Sequence, residues 1–248
     1  MNIKKIDDLD NLKKRFIKEH LFDDEIINFI ERNENAIDVL YSYYECAIME
    51  VETKFKVLDK QYSLYYDKNP IESISTRLKS KTSLMRKIKK YGLPLDLVSI
   101  QDGINDIAGV RIVCSFIDDL YDLEKQFLAQ DDVKLLRRKD YIANPKESGY
   151  RSLHLIVEVP IFLQNEKKYM KVEVQMRTIA MDFWAELEHK IRYKKSISEA
   201  DLSKISSELR DCAETANQLD FRMQKVRDEM ALAYNEPKKQ TLLDIIKK

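Results

Sequence analysis

The sequence is unusually poor in glycine, with only four among 248 residues, at positions 92, 103, 109 and 149. Glycine is the residue that lets a backbone approach a phosphate closely. The P-loop (GxxxxGK[ST]) and the dinucleotide fingerprint (GxGxxG) both depend on it, and neither pattern occurs. The Gly-Ser pair of the common nucleotidyltransferase signature is also missing, as is any His-Asp pair of the kind found in metal-dependent phosphohydrolases. These classes of phosphate chemistry are therefore excluded in their usual form.

The first 91 residues contain no glycine and so lack the commonest helix terminator, which predicts two or three helices. One apolar stripe at three- and four-residue steps indicates a long helix with a single buried face. Its members are Ile37, Leu40, Tyr44, Ile48, Val51, Phe55 and Leu58. We expect this stripe to belong to the core.

Between residues 70 and 178 the apolar pattern changes to that of strands. We predict strands at Ile107–Phe116, Val133–Leu136, Ser152–Val159 and Tyr169–Arg177. Helices are predicted at Ser83–Tyr91, closed by Gly92, and at Asp118–Ala129. The fold class is therefore α/β of the α+β kind, a mixed β-sheet core flanked by long terminal helices.

After Thr178 the pattern is helical again, with a Trp184-Leu187-Ile191 stripe followed by a second, longer helix. That helix carries a heptad seam of Leu202, Ile205, Leu209, Cys212, Ala216, Leu219, Met223, Val226, Met230 and Ala233. The seam can pack against the stripe at 37–58 or against another subunit. We predict one domain, with N-terminal helices (1–69), a core (70–195), a C-terminal helix (196–236) and a flexible tail (237–248).

Basic and acidic residues number 43 each, which argues against a general polyanion-binding surface. Charge is nevertheless concentrated locally, because residues 75–95 contain seven cations and no acid: Arg77, Lys79, Lys81, Arg86, Lys87, Lys89 and Lys90. No run of about 18 apolar residues exists and the amino terminus is charged, so we expect no membrane association and a cytoplasmic location. Three separated cysteines indicate neither a disulfide framework nor a zinc cluster.

The segment KYMKVEVQMRT (168–178) alternates between an apolar and a polar face. The polar face, formed by Lys171, Glu173, Gln175 and Arg177, suits either an edge strand in water or the floor of a site. Asp106 precedes the apolar strand IAGVRIV and can be a simple turn residue. Arg111, inside that strand, needs an anion or a stacking partner.

The segment RRKDYIANPKESGYRSLH (137–154) crowds cations around Gly149 and then enters a strand. A solvated loop is one interpretation. Tyr150 and His154 favour another, because an aromatic ring among cations can stack on a base while the cations hold its phosphates. This segment is therefore a candidate nucleotide site.

Five ordered motifs resemble one family: RLKSKTSLMRK, NDIAGVRIVCSF, KDYIANPKESGYRSLH, VEVQMRT and MDFWAELEHKIRYK. They resemble the synthetase domain of RelA/SpoT-type alarmone synthetases, and in particular the stand-alone small alarmone synthetases, over about residues 70 to 195. The resemblance implies a nucleotidyltransferase-like core and transfer of pyrophosphate from ATP to the 3′ hydroxyl of GDP or GTP, which makes (p)ppGpp. It also implies a homo-oligomer, specifically a homotetramer built through terminal helices.

Carried over by motif, the resemblance assigns Mg²⁺ to Asp106 and Glu173, with Glu173 also a candidate base. The residues implied for ATP are Arg77 and Arg111 on the adenine and Lys79, Ser83 and Lys87 on the phosphates. The residues implied for the guanine nucleotide are Tyr150, stacked on the base, with Lys139, Lys146, His154 and Gln175. Ser148 stands where long family members commonly have Asn, a feature shared with small synthetases.

Two other functions remain open. A catalytically silent module could bind a regulatory nucleotide or single-stranded RNA through the same basic loops. A pure binder, however, gains nothing from paired carboxylates beside a polyanion. A helical scaffold built on the C-terminal seam would explain residues 200 to 235 but none of the central motifs.

Overall fold

The computed structural model describes residues 24–66, 69–192 and 199–233. Their helices are α1 (Asp24–Arg32), α2 (Glu34–Tyr66), α3 (Lys81–Tyr91), α4 (Leu97–Gly103), α5 (Ile117–Leu128), α6 (Ile179–Arg192) and α7 (Glu199–Ala233). The strands are β1 (Ile71–Leu78), β2 (Ala108–Cys114), β3 (Lys134–Asp140), β4 (Leu153–Phe162) and β5 (Lys167–Thr178). The predicted mixed α+β fold is confirmed. The charged amino terminus and the predicted tail at 237–248 lie outside the described residues.

The strands form one five-stranded sheet in the order β1-β2-β5-β4-β3. Only β2 and β5 run parallel, and the other neighbours are antiparallel. β1 corrects the prediction that the first 91 residues form only helices, two or three in number. Its sequence IESISTRL is mostly polar, and it forms a strand because it pairs along β2 at the edge of the sheet. The short helix α4 was also not predicted.

One face of the sheet is apolar and is covered by α2 and α5. Every member of the predicted stripe at 37–58 is buried, which confirms it as core. Phe55 of α2 stacks on Phe127 of α5 with ring centroids 4.5 Å apart. Beneath them lie Met170, Val172, Val174 and Met176 of β5, each at most 3% exposed. The opposite face of the sheet is therefore left for polar residues.

Helix α3 begins and ends at residues suited to those positions. The Ser80 side chain accepts a hydrogen bond from the Ser83 backbone N–H, and Gly92 ends the helix with φ 59°. The predicted helix is confirmed, although it starts at Lys81 rather than at Ser83. Ser83 therefore lies in the first turn, one helical turn before Lys87.

Helix α7 packs mainly on α6 and α5, whereas the α2 stripe faces the sheet. Leu209 and Ala213 are buried against α6, and the Trp184 indole N–H donates to the Leu209 carbonyl over 2.8 Å. Farther along α7 the seam is exposed at Leu219, Met223, Val226 and Met230. The side chain of Leu202 lies outside the described residues. No helix in the described ranges is both long and apolar enough to cross a membrane.

Candidate active site

The polar face of β5 belongs to a central strand and not to an edge strand, because β5 lies between β2 and β4 in the sheet. The register places Gly109 and Ile156 on either side of Glu173. Arg111 and His154 flank Gln175 in the same way. The row of polar residues thus continues across several strands, and an edge strand facing water no longer explains it.

Asp106 lies just before β2 and is held by two lysines. Lys79 Nζ lies 3.0 Å and Lys87 Nζ 2.5 Å from Asp106 Oδ2. Lys79 is 7% exposed, and its backbone N–H donates to the Ile107 carbonyl over 2.8 Å, which fixes the end of β1 beside Asp106. Burial alone would raise the pKa of Asp106, but hydrogen bonds from Lys87 and Lys79 outweigh it and lower that pKa.

Glu173 is held by its neighbours on the same face. Gln175 Nε2 donates to Glu173 Oε2 over 2.8 Å, and His154 Nδ1 lies 3.4 Å from Glu173 Oε1. Burial raises the pKa of Glu173 and so does the charge of Asp106, yet the contacts with His154 and Gln175 leave it lowered overall. Both carboxylates are therefore ionised at neutral pH.

The two carboxylates fit a magnesium ion. Asp106 Oδ1 is buried and has no hydrogen-bond partner among the described residues, which leaves a charged oxygen available for a cation. No cluster of three or more His, Cys, Asp or Glu side chains suited to a metal exists in the described ranges. Protein sites for Mg²⁺ commonly supply only one or two carboxylates and leave the remaining positions to water and substrate phosphates. The donor set matches that pattern.

A cleft of about 470 Å³ contains both carboxylates. It brings together six of the predicted site residues: Lys87, Asp106, Lys139, Lys146, His154 and Glu173. Its wall also includes Tyr91, Asn105, Arg137 and Tyr141, to which no role was assigned from the sequence. Tyr141 could have been found by the rule that selected Tyr150, since it too is an aromatic residue among cations.

Tyr150 does not line the cleft itself, but it contacts three residues that do, Lys146, Tyr141 and His154. Lys146 Nζ lies 4.7 Å from the centroid of the Tyr150 ring and 4.6 Å from that of Tyr141. The Tyr150 hydroxyl lies 2.8 Å from His154 Nε2. Gly149 precedes it with φ 88°, and a Cβ there would lie 2.6 Å from Cβ of Ala213 on α7. Only glycine lets this loop rest so closely on α7.

Four residues predicted for ATP do not line this cleft. Lys79 is buried behind Asp106, Ser83 bonds with Ser80 at the start of α3, and Arg77 is exposed on β1. Arg77 and Arg111 nevertheless share the polar face on neighbouring strands, because Arg77 pairs with Gly109 and Ser75 with Arg111. The two guanidinium groups therefore extend from the same side of the sheet.

Arg111 does have an anionic partner, as its position in an apolar strand required. Its Nη1 donates to Glu186 Oε1 over 2.5 Å and lies 3.4 Å from Asp182 Oδ1, both on α6. The hydrogen bond from Arg111 is the main reason that the pKa of Glu186 is lowered. In this structure Arg111, which the resemblance assigns to the adenine of ATP, is instead paired with Glu186 and Asp182 of the same chain.

Comparison with known proteins agrees with this geometry. A family described as "Region found in RelA / SpoT proteins" matches residues 76–198. The chain is 43% identical over 188 residues to the GTP pyrophosphokinase YwaC of Bacillus subtilis, a match that covers 75% of this chain and 88% of that protein.

Solved structures give the same result. Small alarmone synthetase 1 from Bacillus subtilis, bound to its product pppGpp, superposes with a TM-score of 0.72 at 35% identity, over 79% of this chain and 99% of that one. Small alarmone synthetase 2 from the same organism gives 0.69 at 40% identity, over 77% of this chain and 98% of that one. With a matching central region and relatives covered almost from end to end, the chain belongs to the RelA/SpoT family.

Proposed function

We propose that this protein is a GTP pyrophosphokinase that makes (p)ppGpp by moving the β,γ-pyrophosphate of ATP to the 3′ hydroxyl of GDP or GTP. The observation that carries the proposal is the pair of ionised carboxylates, Asp106 and Glu173, in one cleft with a cationic wall. The names of the relatives and the pppGpp held by one of them support it.

The basic side chains bind the substrates. Ser83 and Lys87 lie one turn apart on α3 and are assigned to the ATP triphosphate, with Lys79 beside them. Lys139 and Lys146 face the cleft and are assigned to the phosphates of the acceptor, whose guanine stacks on Tyr150. Arg77 and Arg111 hold the adenine from neighbouring strands, which requires Arg111 to exchange Glu186 for the base.

Glu173 is ionised and accepts the proton from the 3′ hydroxyl. The 3′ oxygen forms a bond to the β-phosphorus of ATP as the bond from that phosphorus to the α,β-bridging oxygen breaks. AMP leaves with the bonding electron pair, and the acceptor gains the pyrophosphate. The protein contributes mainly position and charge, as is usual in phosphoryl transfer.

Asp106 and Glu173 are the residues that would hold Mg²⁺. When bound, the ion neutralises phosphate oxygens and stabilises the charge that develops during transfer. The buried, unpaired Asp106 Oδ1 is the atom best suited to contact it.

The alternative, a silent module that binds nucleotide or RNA, is less compatible with this site. Two ionised carboxylates in the cleft would repel the phosphates of any bound nucleotide unless a cation lay between them. Such a pair is useful to an enzyme and unfavourable for a binder.

The proposal extends to self-association as a homotetramer in the cytoplasm. Leu219, Met223, Val226 and Met230 form an exposed apolar stripe on α7, each between 48% and 55% exposed. A contiguous stripe of this kind is typical of a protein interface. A second copy of α7 is the occupant that fits a heptad pattern.

One assay tests the reaction directly. Purified protein is incubated with Mg²⁺, γ-labelled ATP and GMP, GDP or GTP in turn. The expected result is a labelled guanosine 3′-diphosphate product with one AMP formed for each product molecule. Formation of ADP, or no labelled product with any acceptor, would contradict the proposal. The Asp106→Asn variant is the control for contaminating enzymes.

A further inference from the structure

Arg177 is a buried arginine on the polar face of β5 that has no role in the assignments above. It is 5% exposed, and its guanidinium contacts three side chains. Nη1 donates to Asp182 Oδ1 over 2.9 Å. Nη2 donates to the Tyr150 hydroxyl over 2.8 Å and to Gln175 Oε1 over 3.2 Å. A single side chain thus contacts two residues assigned to the acceptor.

The bond to Tyr150 sets the direction of a chain of hydrogen bonds. A guanidinium can only donate, so the Tyr150 oxygen accepts from Arg177 and its own hydrogen is free to point elsewhere. His154 Nε2 lies 2.8 Å away, and as the unprotonated nitrogen of a neutral imidazole it can accept that hydrogen. The imidazole proton is then on Nδ1, the atom that lies 3.4 Å from Glu173 Oε1. Arg177 thereby selects the histidine tautomer that donates towards Glu173.

The bond to Gln175 sets a second chain. Because Arg177 only donates, the amide oxygen of Gln175 must face it, which turns the amide nitrogen the other way. That nitrogen, Nε2, donates to Glu173 Oε2 over 2.8 Å. The two chains start from one guanidinium nitrogen and end on the two oxygens of one carboxylate. Glu173 is therefore oriented at both oxygens by Arg177 acting through other residues.

We infer that Arg177 is a positioning residue that couples the acceptor-binding tyrosine to the carboxylate that takes the acceptor's proton. The inference rests on the proposed function. It gives the Tyr150 hydroxyl a task distinct from that of its ring, because the ring stacks on guanine while the hydroxyl orients His154. Asp182, in the first turn of α6, holds the guanidinium in place.

Lysine cannot replace arginine here, because one ammonium group cannot reproduce the planar fork that reaches Asp182, Tyr150 and Gln175 together. Arg227 offers a matched control on α7. Its guanidinium also pairs with a carboxylate, Asp118, at 3.3 Å, and lies 4.5 Å from the centroid of the Phe116 ring. The corresponding distance from Arg177 to the centroid of the Tyr150 ring is 5.2 Å. Both arginines combine a carboxylate partner with an aromatic ring, but Arg227 is more exposed, also pairs with Asp119 and Asp228, and lies away from the cleft.

The test compares Arg177→Lys, Tyr150→Phe, the double variant and Arg227→Lys, with kcat and both KM values measured for each and thermal melting as a check of folding. Tyr150→Phe keeps the stacking ring, so kcat should fall about tenfold or more with little change in the KM for GDP. Arg177→Lys should lower kcat similarly and leave the KM for ATP unchanged. Arg227→Lys should resemble the wild type.

The double variant is the sharpest measurement, because two residues in one chain of hydrogen bonds act non-additively. Its kcat should be no lower than that of the poorer single variant. Normal turnover in Tyr150→Phe, or losses that multiply in the double variant, would overturn the inference. If Arg177→Lys fails to fold, Tyr150→Phe still decides. Absence of product from the wild type would instead refute the proposed function itself.

Discussion

Lys87 Nζ of α3 lies 2.5 Å from Asp106 Oδ2 in the loop before β2. The side chain assigned to the ATP phosphates is thus paired with the carboxylate assigned to the metal. Under the proposed assignment, a nucleotide bound with a cation would replace this pair without leaving either charge alone, since the phosphates would contact Lys87 and the cation would contact Asp106. The ion pair therefore holds both side chains in place before substrate binds.

Asp106→Asn and Glu173→Gln should each abolish pyrophosphate transfer, because each removes a charge that the reaction requires. The fold should remain cooperative, although Asp106→Asn leaves the buried Lys79 without its anion and should cost ~1–3 kcal/mol of stability. Turnover and thermal melting of each variant are the measurements. Ordinary turnover with normal melting in both would disprove the assignment of these carboxylates.

Tyr150→Ala should weaken binding of the guanine acceptor by ~1–3 kcal/mol, the value of one base stacked on an aromatic ring, and leave ATP binding nearly unchanged. Arg111→Ala should do the reverse, because it is assigned to adenine. Titration calorimetry with GDP and with a non-hydrolysable ATP analogue separates the two affinities. Equal losses for both nucleotides in both variants would show that the division of the pocket is wrong.

Gly149→Ala should disturb the acceptor loop, because its φ is 88° and the new Cβ would meet Ala213 at 2.6 Å. Gly92→Ala is the matched control, since φ there is 59° but nothing lies within 4 Å of the added Cβ. Both should lose about 1–2 kcal/mol of stability to left-handed backbone strain, and Gly149→Ala should lose more because of the close contact with Ala213. Only Gly149→Ala should raise the KM for the guanine nucleotide, and adding Ala213→Gly should partly restore it. Equal acceptor KM values in the two alanine variants would contradict this.

Because the pKa of Asp220 is raised, we expect its ionisation to lower the stability of the folded protein as pH rises. Burial raises its pKa, and the hydrogen bond from Thr178 Oγ1, at 2.5 Å, only partly offsets this. A raised folded-state pKa means that its contribution to stability is fully present below the unfolded pKa and is lost as pH rises through the folded pKa. Asp220→Asn keeps an acceptor for Thr178 and should stabilise the protein at pH 7 by ~0.5–2 kcal/mol.

That gain should disappear at pH values below the unfolded pKa of aspartate, about 3.9. Melting curves of the wild type and Asp220→Asn over this range are the measurement. A stability difference that does not change with pH would show that Asp220 is not the titrating group.

Self-association is tested by the double variant Leu219→Glu, Val226→Glu, which places two charges on the exposed stripe of α7. Light scattering should report a tetramer for the wild type and a smaller species for the variant. Gln218→Glu with Lys225→Glu introduces as many carboxylates one position earlier, away from the stripe, and should remain assembled. A wild-type mass equal to that of one chain at every concentration would refute the assembly and leave the catalytic proposal intact.

The sequence predicts best where a local pattern and the tertiary environment agree. The stripe at 37–58 has helical periodicity and an apolar sheet to cover, so the sequence predicts its burial correctly. The sequence does not predict β1, because IESISTRL has a weak pattern and becomes a strand only through pairing with β2, more than 30 residues later.

In the candidate site, too, the sequence does not predict contacts between residues that lie far apart in the chain. The need of Arg111 for an anion follows from its apolar neighbours, but its partner Glu186 lies 75 positions away and cannot be deduced from that need. Arg177 was visible on the polar face of β5, yet its importance depends on Tyr150, 27 positions earlier. Motifs identify residue types, whereas the direction of a hydrogen-bond chain emerges only from the folded arrangement.

Trp184 is the only tryptophan in the chain, and its ring centroid lies 6.5 Å from that of Tyr150. Its indole is fixed by the hydrogen bond to the Leu209 carbonyl, so it reports on a single well-defined environment. The intrinsic fluorescence of the unlabelled protein should therefore change when a guanine nucleotide stacks on Tyr150. Rapid-mixing fluorimetry can then time acceptor arrival independently of pyrophosphate transfer, and so reveal which of the two limits turnover.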